Sequence, residues 1–221
     1  MSKEEDDLLK YWLLNRPDRL PTFILDCYEG KYDNNLRRFW NIFRDLWIDG
    51  EFTHHLSFNT FDESRVLKDI FLQHWESEII LDSHKCCEGK DEYQKIVDLW
   101  EQEKVCVYRG QREDDNIGVS WTLDKDRANW FANRFYFPKS YAEKVGDDSL
   151  YRGNPTLLSG WVKGASIISY FDCRDEDEVL ILDPNDCIND LKIDVIKAKQ
   201  NDREKEENFG KSVFTLINRQ L

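Results

Sequence analysis

The stretch that decides the fold is residues 105–135, VCVYRGQREDDNIGVSWTLDKDRANWFANRF. It opens with a short apolar run, Val105–Tyr108, and a second run, Ile117–Thr122, follows after polar residues. Short apolar runs bounded by turn residues predict β-strands. Apolar residues at helical spacing then predict a helix over Lys125–Phe135, with Asp124 as its N-cap. Two strands and a helix therefore open the second half of the chain.

Further strands are predicted after this stretch. The candidate segments are Leu157–Val162, Ser166–Phe171, Val179–Leu182, Ile193–Lys197 and Val213–Ile217. Turn residues separate these segments, as expected for consecutive strands. The strongly charged segment 197–208 predicts a solvated loop before the last strand.

The first 103 residues predict helices instead. Apolar side chains recur at helical spacing in the segments 36–47, 67–75 and 93–100. An earlier segment, Leu8–Leu14, is apolar nearly all round and predicts a buried helix, and Pro17 and Pro21 are expected to break the chain after it. Helices first and strands later predict an α+β protein, with a mainly helical region over 1–103 and a second region over 104–221.

Composition narrows the class of protein. The chain has 221 residues, of which 40% are hydrophobic and 14% aromatic, so it can bury a core. Its net charge of −13 argues against non-specific coating of nucleic acid, because phosphate repels it. The start, MSKEEDD, is unlike a secretory leader, and no apolar run approaches the roughly 20 residues that span a bilayer. We therefore expect a cytoplasmic protein with no membrane contact and with reduced cysteines.

Three short motifs stand at the ends of strand candidates in the second region. They are Tyr108-Arg109-Gly110, Ser120-Trp121-Thr122 and Glu176-Asp177-Glu178. A strand-end arginine such as Arg109 suits a diphosphate, since its planar fork bonds phosphate oxygens in pairs. Gly110 removes a side chain where the backbone can approach a ligand. Glu178 stands where a loop enters an apolar strand, so we expect its carboxylate to face a cleft.

In this order the motifs resemble the Arg-Ser-Glu signature of mono-ADP-ribosyltransferases, the class that includes the clostridial binary toxins and the vertebrate arginine-specific enzymes. The resemblance covers roughly residues 105–220. It implies a split β-sandwich that cleaves NAD as a consumed substrate. It also implies that Arg109 contacts the phosphate and ribose of NAD and that the backbone of Gly110 holds the nicotinamide amide. Ser120 would then steady Glu178, the catalytic carboxylate.

The resemblance assigns the remaining site residues as well. Glu176 would contact or activate the acceptor, and Tyr108, Trp121 and Thr122 complete the implied NAD site. Trp121 departs from the small middle residue of the family's Ser-Thr-Ser motif, although a hydroxyl is kept at both ends. The turn before the acidic motif would recognise the acceptor through Tyr170, Phe171 and Arg174.

The sequence is compatible with two classes of acceptor for the ADP-ribose. The Glu-x-Glu motif in this family usually accompanies protein arginine, whereas an aromatic turn beside Arg174 suits stacking on an RNA or DNA base. Basic residues that could contact phosphates are Arg37, Arg38, Lys192, Lys197 and Lys199. Two other functions stay open: a non-enzymatic binding module on the same scaffold, and an NAD glycohydrolase.

The class of enzyme also suggests a setting. A cytoplasmic enzyme that consumes NAD and modifies macromolecules is often toxic to its own cell. From the enzyme class alone we therefore expect a bacterial toxin with an antitoxin, or a phage-defence effector. The region 1–103 would recognise the target or bind such a regulatory partner. No metal is expected, because His84-Lys85-Cys86-Cys87 lacks the spacing of a zinc site.

Overall fold

The structure of the chain, a computed structural model, describes residues 3–31, 36–49, 69–70, 80, 92–134, 136–172 and 175–198. The helices that precede the first strand are α1 (Lys3–Trp12), α2 (Arg16–Tyr28), α3 (Leu36–Asp49) and α4 (Glu92–Trp100). The elements that follow are β1 (Val105–Arg112), β2 (Ser120–Thr122), α5 (Lys125–Asn133), α6 (Lys139–Val145), β3 (Pro155–Val162), β4 (Ser169–Phe171), β5 (Glu178–Leu180), α7 (Pro184–Cys187) and β6 (Asn189–Val195).

The strands of the described residues form one antiparallel sheet. Its order is β4-β5-β2-β1-β3-β6. The long strands β1 and β3 pair over their whole length, and the short strand β2 pairs with β1 on one side and with β5 on the other. The three strands that carry the sequence motifs therefore lie side by side in the sheet.

The predicted α+β class is confirmed at the level of helices and an antiparallel sheet. Each predicted strand segment within the described residues contains a strand, although β2, β4 and β5 are shorter than predicted and β6 begins at Asn189, ahead of the predicted Ile193. The predicted strand Val213–Ile217 lies outside the described residues. The finer expectation, a split β-sandwich, stays a prediction.

Helix α3 packs its aromatic stripe into a core that we call the helical cluster. Phe39, Trp40, Phe43 and Trp47 are each at most 1% exposed. The helical cluster also contains four residues of the sheet region, Val119, Ile168, Phe171 and Leu180. Apolar packing thus continues across the predicted boundary between residues 103 and 104. The boundary itself stays a prediction.

A second core, the α4 cluster, covers the other face of the sheet. It joins Ile96 and Leu99 of α4 to Trp121, Tyr170 and Val179 of three adjacent strands. Successive residues of a strand point to opposite faces, so neighbours in sequence can belong to different cores. Strands β4 and β5 are consequently buried on both sides.

Two expectations for the N-terminal helices are wrong. The segment Leu8–Leu14 is helical up to Trp12, but it is not buried all round, since Tyr11 is 2% exposed and Leu13 is 78% exposed. Pro17 and Pro21 do not break the chain, because both lie inside α2. Pro17 fits the first turn of the helix, whose N–H groups have no partner in any case, whereas Pro21 lies inside the helix and has no N–H to bond the carbonyl of residue 17.

The other predicted helical stripes are described only in part. Within the segment 67–75, Ile70 is helical and buried, and the residues on either side of 69–70 lie outside the described residues. The stripe over 93–100 is confirmed by α4. In the part of the chain that the structure describes, every helix is too short or too polar to cross a bilayer.

Helix α5 is capped by its own N-cap residue at one end and bonded to β1 at the other. The predicted cap is confirmed, since Asp124 accepts hydrogen bonds from the backbone N–H groups of Asp126 and Arg127. At the other end, the guanidinium of Arg112 donates to the carbonyls of Ala132 and Arg134. Cations near the last carbonyls of a helix are favourable there. Helix α5 thus has a fixed position beside the strand that carries Arg109.

Candidate functional site

Strands β1 and β2 separate next to the first two motifs. They pair at Tyr108 and Thr122, and continuing that register would place Gly110 opposite Ser120. The pairing is not continued there, while β1 goes on pairing with β3 as far as Arg112. The separation leaves polar backbone and side chains of both motifs at the same gap in the sheet.

The guanidinium of Arg109 lies at this gap. Its Nη1 donates to the carbonyl oxygen of Ser120 at 2.5 Å, and its Nε donates to Oε1 of Gln111 at 2.8 Å. Within the described part of the chain, Nη2 donates no hydrogen bond, and it lies 2.9 Å from the position that a Cβ on Gly118 would occupy. Two hydrogen bonds therefore fix the orientation of the guanidinium, and its remaining N–H groups are available to bind an anion.

The electrostatic surroundings of Arg109 are mixed. The group is half-buried, and desolvation lowers the pKa of Arg109 to about 10, while the carboxylates of Asp115 and Glu178 act in the opposite direction. At neutral pH the group is a cation that is partly shielded from bulk water. A partly desolvated guanidinium binds phosphate oxygens more strongly than a fully hydrated one.

Ser120 and Glu178 meet on one face of the paired strands β2 and β5. Thr122 stands opposite Glu178, and Ser120 stands opposite Leu180, so Ser120 and Glu178 are diagonal neighbours. The hydroxyl of Ser120 donates to Oε1 of Glu178 at 2.5 Å. Glu178 itself is 6% exposed. The structure thus places this serine and this glutamate in contact, and the role of the pair in chemistry stays a prediction.

The turn that leads into Glu178 is fixed by bonds to its neighbours. The hydroxyl of Thr122 donates to the carbonyl of Glu176 at 2.6 Å, and the backbone N–H of Leu123 donates to the carbonyl of Asp177 at 2.9 Å. From α5, Nη2 of Arg127 donates to the carbonyl of Asp175 at 2.6 Å. The acidic motif is therefore an ordered turn and not a freely solvated acidic run.

Three of the residues implied to contact NAD have structural roles, and the backbone contact implied for Gly110 stays a prediction. A Cβ on Gly110 would lie 1.8 Å from the carbonyl oxygen of Ala128, so the absent side chain makes room for α5 and not for a ligand. Trp121 is 2% exposed, packs in the α4 cluster and donates to the carbonyl of Gly118. Thr122 is buried, and its hydroxyl holds the turn. Direct NAD contact by the side chains of Trp121 and Thr122 is therefore not supported.

The aromatic residues assigned to acceptor recognition are in the core. Tyr170 and Phe171 are each 4% exposed and lie in β4, not in the turn. The ring of Phe171 stacks on Trp47 at a centroid distance of 6.3 Å, and Tyr170 packs in the α4 cluster. Contact of either ring with an acceptor is therefore not supported, because both rings are buried. Arg174 lies outside the described residues.

The two other predicted residues have less definite positions. Tyr108 is half-buried on β1, next to Arg109, and stays a candidate for the NAD site. Glu176 is 8% exposed, so the acceptor role implied for it requires a group that reaches into the protein. No group of three metal-binding side chains is arranged to hold an ion in the residues that the structure describes.

Sequence reasoning missed the residues that surround Arg109. Gln111 accepts from Arg109, and its own amide donates to the carbonyl of Asp115 at 2.7 Å. Gln111 follows Arg109 by two positions on one strand, and this spacing places two side chains on the same face. The alternation of side chains between the two faces of β1 could therefore have predicted that Gln111 lies beside Arg109. Nothing in the sequence singles out Gly118.

Comparison of the chain with protein-family models, with curated proteins and with solved structures finds no significant match.

Proposed function

We propose that the chain is a mono-ADP-ribosyltransferase that cleaves NAD and transfers ADP-ribose to a macromolecule. The observation that supports this most directly is the position of Ser120 between the other two signature residues. Its carbonyl accepts from Arg109, and its hydroxyl donates to Glu178. A cation and a carboxylate are thereby held on two sides of a single residue, as a substrate with a diphosphate and a reacting ribose requires.

In the proposed reaction, the bond between C1′ of the ribose and the nicotinamide nitrogen breaks. The electron pair leaves with nicotinamide, and C1′ becomes an oxocarbenium-like centre. The carboxylate of Glu178 stabilises this positive charge, and Ser120 fixes the direction in which the carboxylate points. The fork of Arg109 holds the diphosphate and so keeps the ribose in place.

The acceptor then supplies its lone pair to C1′ and loses a proton. We keep Glu176 as the candidate group that orients the acceptor or takes this proton, since it lies two residues from Glu178 on the ordered turn. Both acceptor classes remain in the proposal, protein arginine and a nucleic-acid base. A cytoplasmic toxin or defence effector, restrained by an antitoxin, is the setting that the proposed chemistry suggests.

One observation favours a second function, an NAD glycohydrolase. Burial of Tyr170 and Phe171 removes the aromatic surface that was expected to meet a macromolecule. With water as the acceptor, the same cleavage needs only Arg109, Ser120 and Glu178. The two functions differ in whether ADP-ribose becomes attached to a polymer.

The test is transfer from NAD labelled on its adenylate part. Purified protein is incubated with a cell extract, which is then split into protein, RNA and DNA fractions. We expect label in one fraction with the wild type, loss of that label with Glu178→Gln, and retention with the control Glu143→Gln, which changes an exposed residue of α6. Release of nicotinamide without label in any polymer would indicate the glycohydrolase. No release by the wild type would indicate a binding module and overturn the proposal.

A further inference from the structure

The turn between β4 and β5 is fixed from outside at both of its ends. Its described residues are Asp172, directly after β4, and the segment 175–177, directly before Glu178, while residues 173–174 lie outside the described residues. A shift of Asp177 moves the start of β5, and with it the carboxylate that meets Ser120, and a shift of Asp172 moves Phe171, which pairs with Glu178 across the sheet. The groups that hold the turn are therefore in a position to set the geometry of the candidate site.

Glu92 holds the beginning of the turn. It is the first residue of α4 and is 1% exposed. Its Oε1 accepts from the backbone N–H of Asp172 at 2.9 Å, and its Oε2 accepts from Nη2 of Arg44 at 2.6 Å. Arg44 comes from α3, and its guanidinium lies 6.0 Å from the ring centre of Phe171. One buried carboxylate thus connects α3 and α4 of the helical region to the turn.

Tyr170 holds the end of the turn. Its hydroxyl donates to Oδ1 of Asp177 at 2.5 Å, and the ring is packed in the α4 cluster. Burial, and then the hydrogen bond to Asp177, raise the pKa of Tyr170 above its ordinary value, so the hydroxyl stays a donor at any physiological pH. A buried ring on β4 therefore fixes the residue that immediately precedes Glu178.

The backbone of the turn needs such support. Asp175 has a φ of 54° and Asp177 a φ of 45°, in the left-handed region that residues other than glycine seldom occupy. Left-handed conformations cost free energy for a residue with a Cβ, and they persist where surrounding contacts hold them. The bond that Glu92 accepts from Asp172, and the bonds that Tyr170 and Arg127 donate, supply that constraint at three points of the turn.

We propose that Glu92 and Tyr170 are positioning residues of the candidate transferase, which hold the turn so that Glu178 meets Ser120. The inference rests on the proposed function, and it gives the helical region a part in the site. Helices α3 and α4 then act as the support of the carboxylate. The main alternative is that these contacts stabilise the fold without affecting the reaction.

The primary variant is Tyr170→Phe, which removes one hydroxyl and keeps the buried ring. We expect kcat for nicotinamide release to fall about tenfold, while KM for NAD changes less than about twofold, because a small displacement of a reacting group affects the transition state more than ground-state binding. The control is Tyr28→Phe, which removes a hydroxyl from an exposed tyrosine of α2 and should leave both constants unchanged.

The second variant tests the other end of the turn. Glu92→Gln keeps a side-chain carbonyl for the N–H of Asp172, whereas Glu92→Ala removes it. We expect kcat to be reduced less by Glu92→Gln than by Glu92→Ala. If Glu92→Ala does not fold, the Tyr170→Phe result decides the question.

Amide hydrogen exchange gives a readout that does not need activity. The N–H of Leu123 is bonded to the carbonyl of Asp177, so release of the turn should speed its exchange about tenfold in Tyr170→Phe and not in Tyr28→Phe. A normal kcat and normal exchange in Tyr170→Phe would overturn the positioning role and leave the transferase standing. An inactive wild type would remove the proposed function, and exchange alone would then show whether Tyr170 holds the turn.

Discussion

The hydroxyl of Ser120 donates to Oε1 of Glu178 at 2.5 Å, diagonally across the paired strands β2 and β5. The same residue accepts from Arg109 through its carbonyl. The backbone of Ser120 thus fixes a cation at the gap beside β1, and its side chain fixes a carboxylate on β5. This arrangement makes the three residues a single unit whose members can be changed one at a time.

Removing the hydroxyl tests the first contact of this unit. In Ser120→Ala we expect kcat for nicotinamide release to fall by about ten- to a hundredfold, since a hydrogen bond to a charged group contributes roughly 1.5–3 kcal/mol. KM for NAD should change little. The matched control is Ser149→Ala, which removes an exposed serine–aspartate bond of the same 2.5 Å length to Asp147. Equal activities of the two variants would contradict the role of Ser120.

Replacing the guanidinium tests the second contact. Arg109→Lys keeps a cation but loses the fork that bonds Ser120 and Gln111 at once. We expect KM for NAD to rise about tenfold, because lysine binds phosphate as a point charge without a fixed orientation. Arg16→Lys, an exposed exchange that loses a bond to the carbonyl of Asp49, is the control. An unchanged KM would place the diphosphate elsewhere.

Adding a methyl group to Gly110 tests its assignment to packing. Its Cβ would lie 1.8 Å from the carbonyl oxygen of Ala128 and 2.5 Å from the N of Ala132. We expect Gly110→Ala to lower the free energy of unfolding by about 3 kcal/mol, since α5 must move. Gly30→Ala meets no atom within 4 Å and should cost only the roughly 1 kcal/mol of its left-handed φ. Thermal or denaturant unfolding of both variants measures the two losses of stability. Similar losses in Gly110→Ala and Gly30→Ala would contradict the packing role of Gly110.

The thiol of Cys27 provides a test of the helical region by pH. Burial, and then the charge of Asp26, raise the pKa of Cys27 to about 12 from 9.0. Between these values the unfolded chain loses the thiol proton and the folded chain keeps it, so stability falls as pH rises through this range.

We therefore expect the unfolding free energy of the wild type, relative to Cys27→Ala, to drop by about 2 kcal/mol between pH 8 and pH 10.5. Denaturant titrations of both proteins measure this difference. A difference that is independent of pH would show that water reaches the thiol.

Local signals in the sequence predicted much of the fold. The cap at Asp124 and the helix after it depend on residues that are close in sequence, and the aromatic stripe of α3 follows helical spacing. Pro17 misled because a proline in the first turn of a helix is compatible with it, and Pro21 misled because α2 continues through it although an interior proline is unfavourable.

Within the candidate site, the sequence could predict the motif residues but not the residues that surround and support them. Arg109, Ser120 and Glu178 each stand in a local pattern, and the structure brings them together. Tyr170 and Phe171 are buried because the two faces of β4 pack against two different cores. The continuous apolar run around them was a sequence signal for a strand that is buried on both faces. The hydrogen bond that the backbone N–H of Asp172 donates to Glu92 joins residues 80 positions apart, so no local sequence pattern could predict it.

The most direct test of the central claim is a crystal structure of Glu178→Gln with NAD bound, since this variant should bind NAD without cleaving it. We expect the diphosphate within hydrogen-bond distance of the Arg109 guanidinium and the nicotinamide ribose beside the side chain at position 178. NAD bound away from both residues, or no binding at concentrations that saturate the wild type, would contradict the assignment of this gap in the sheet as an NAD site.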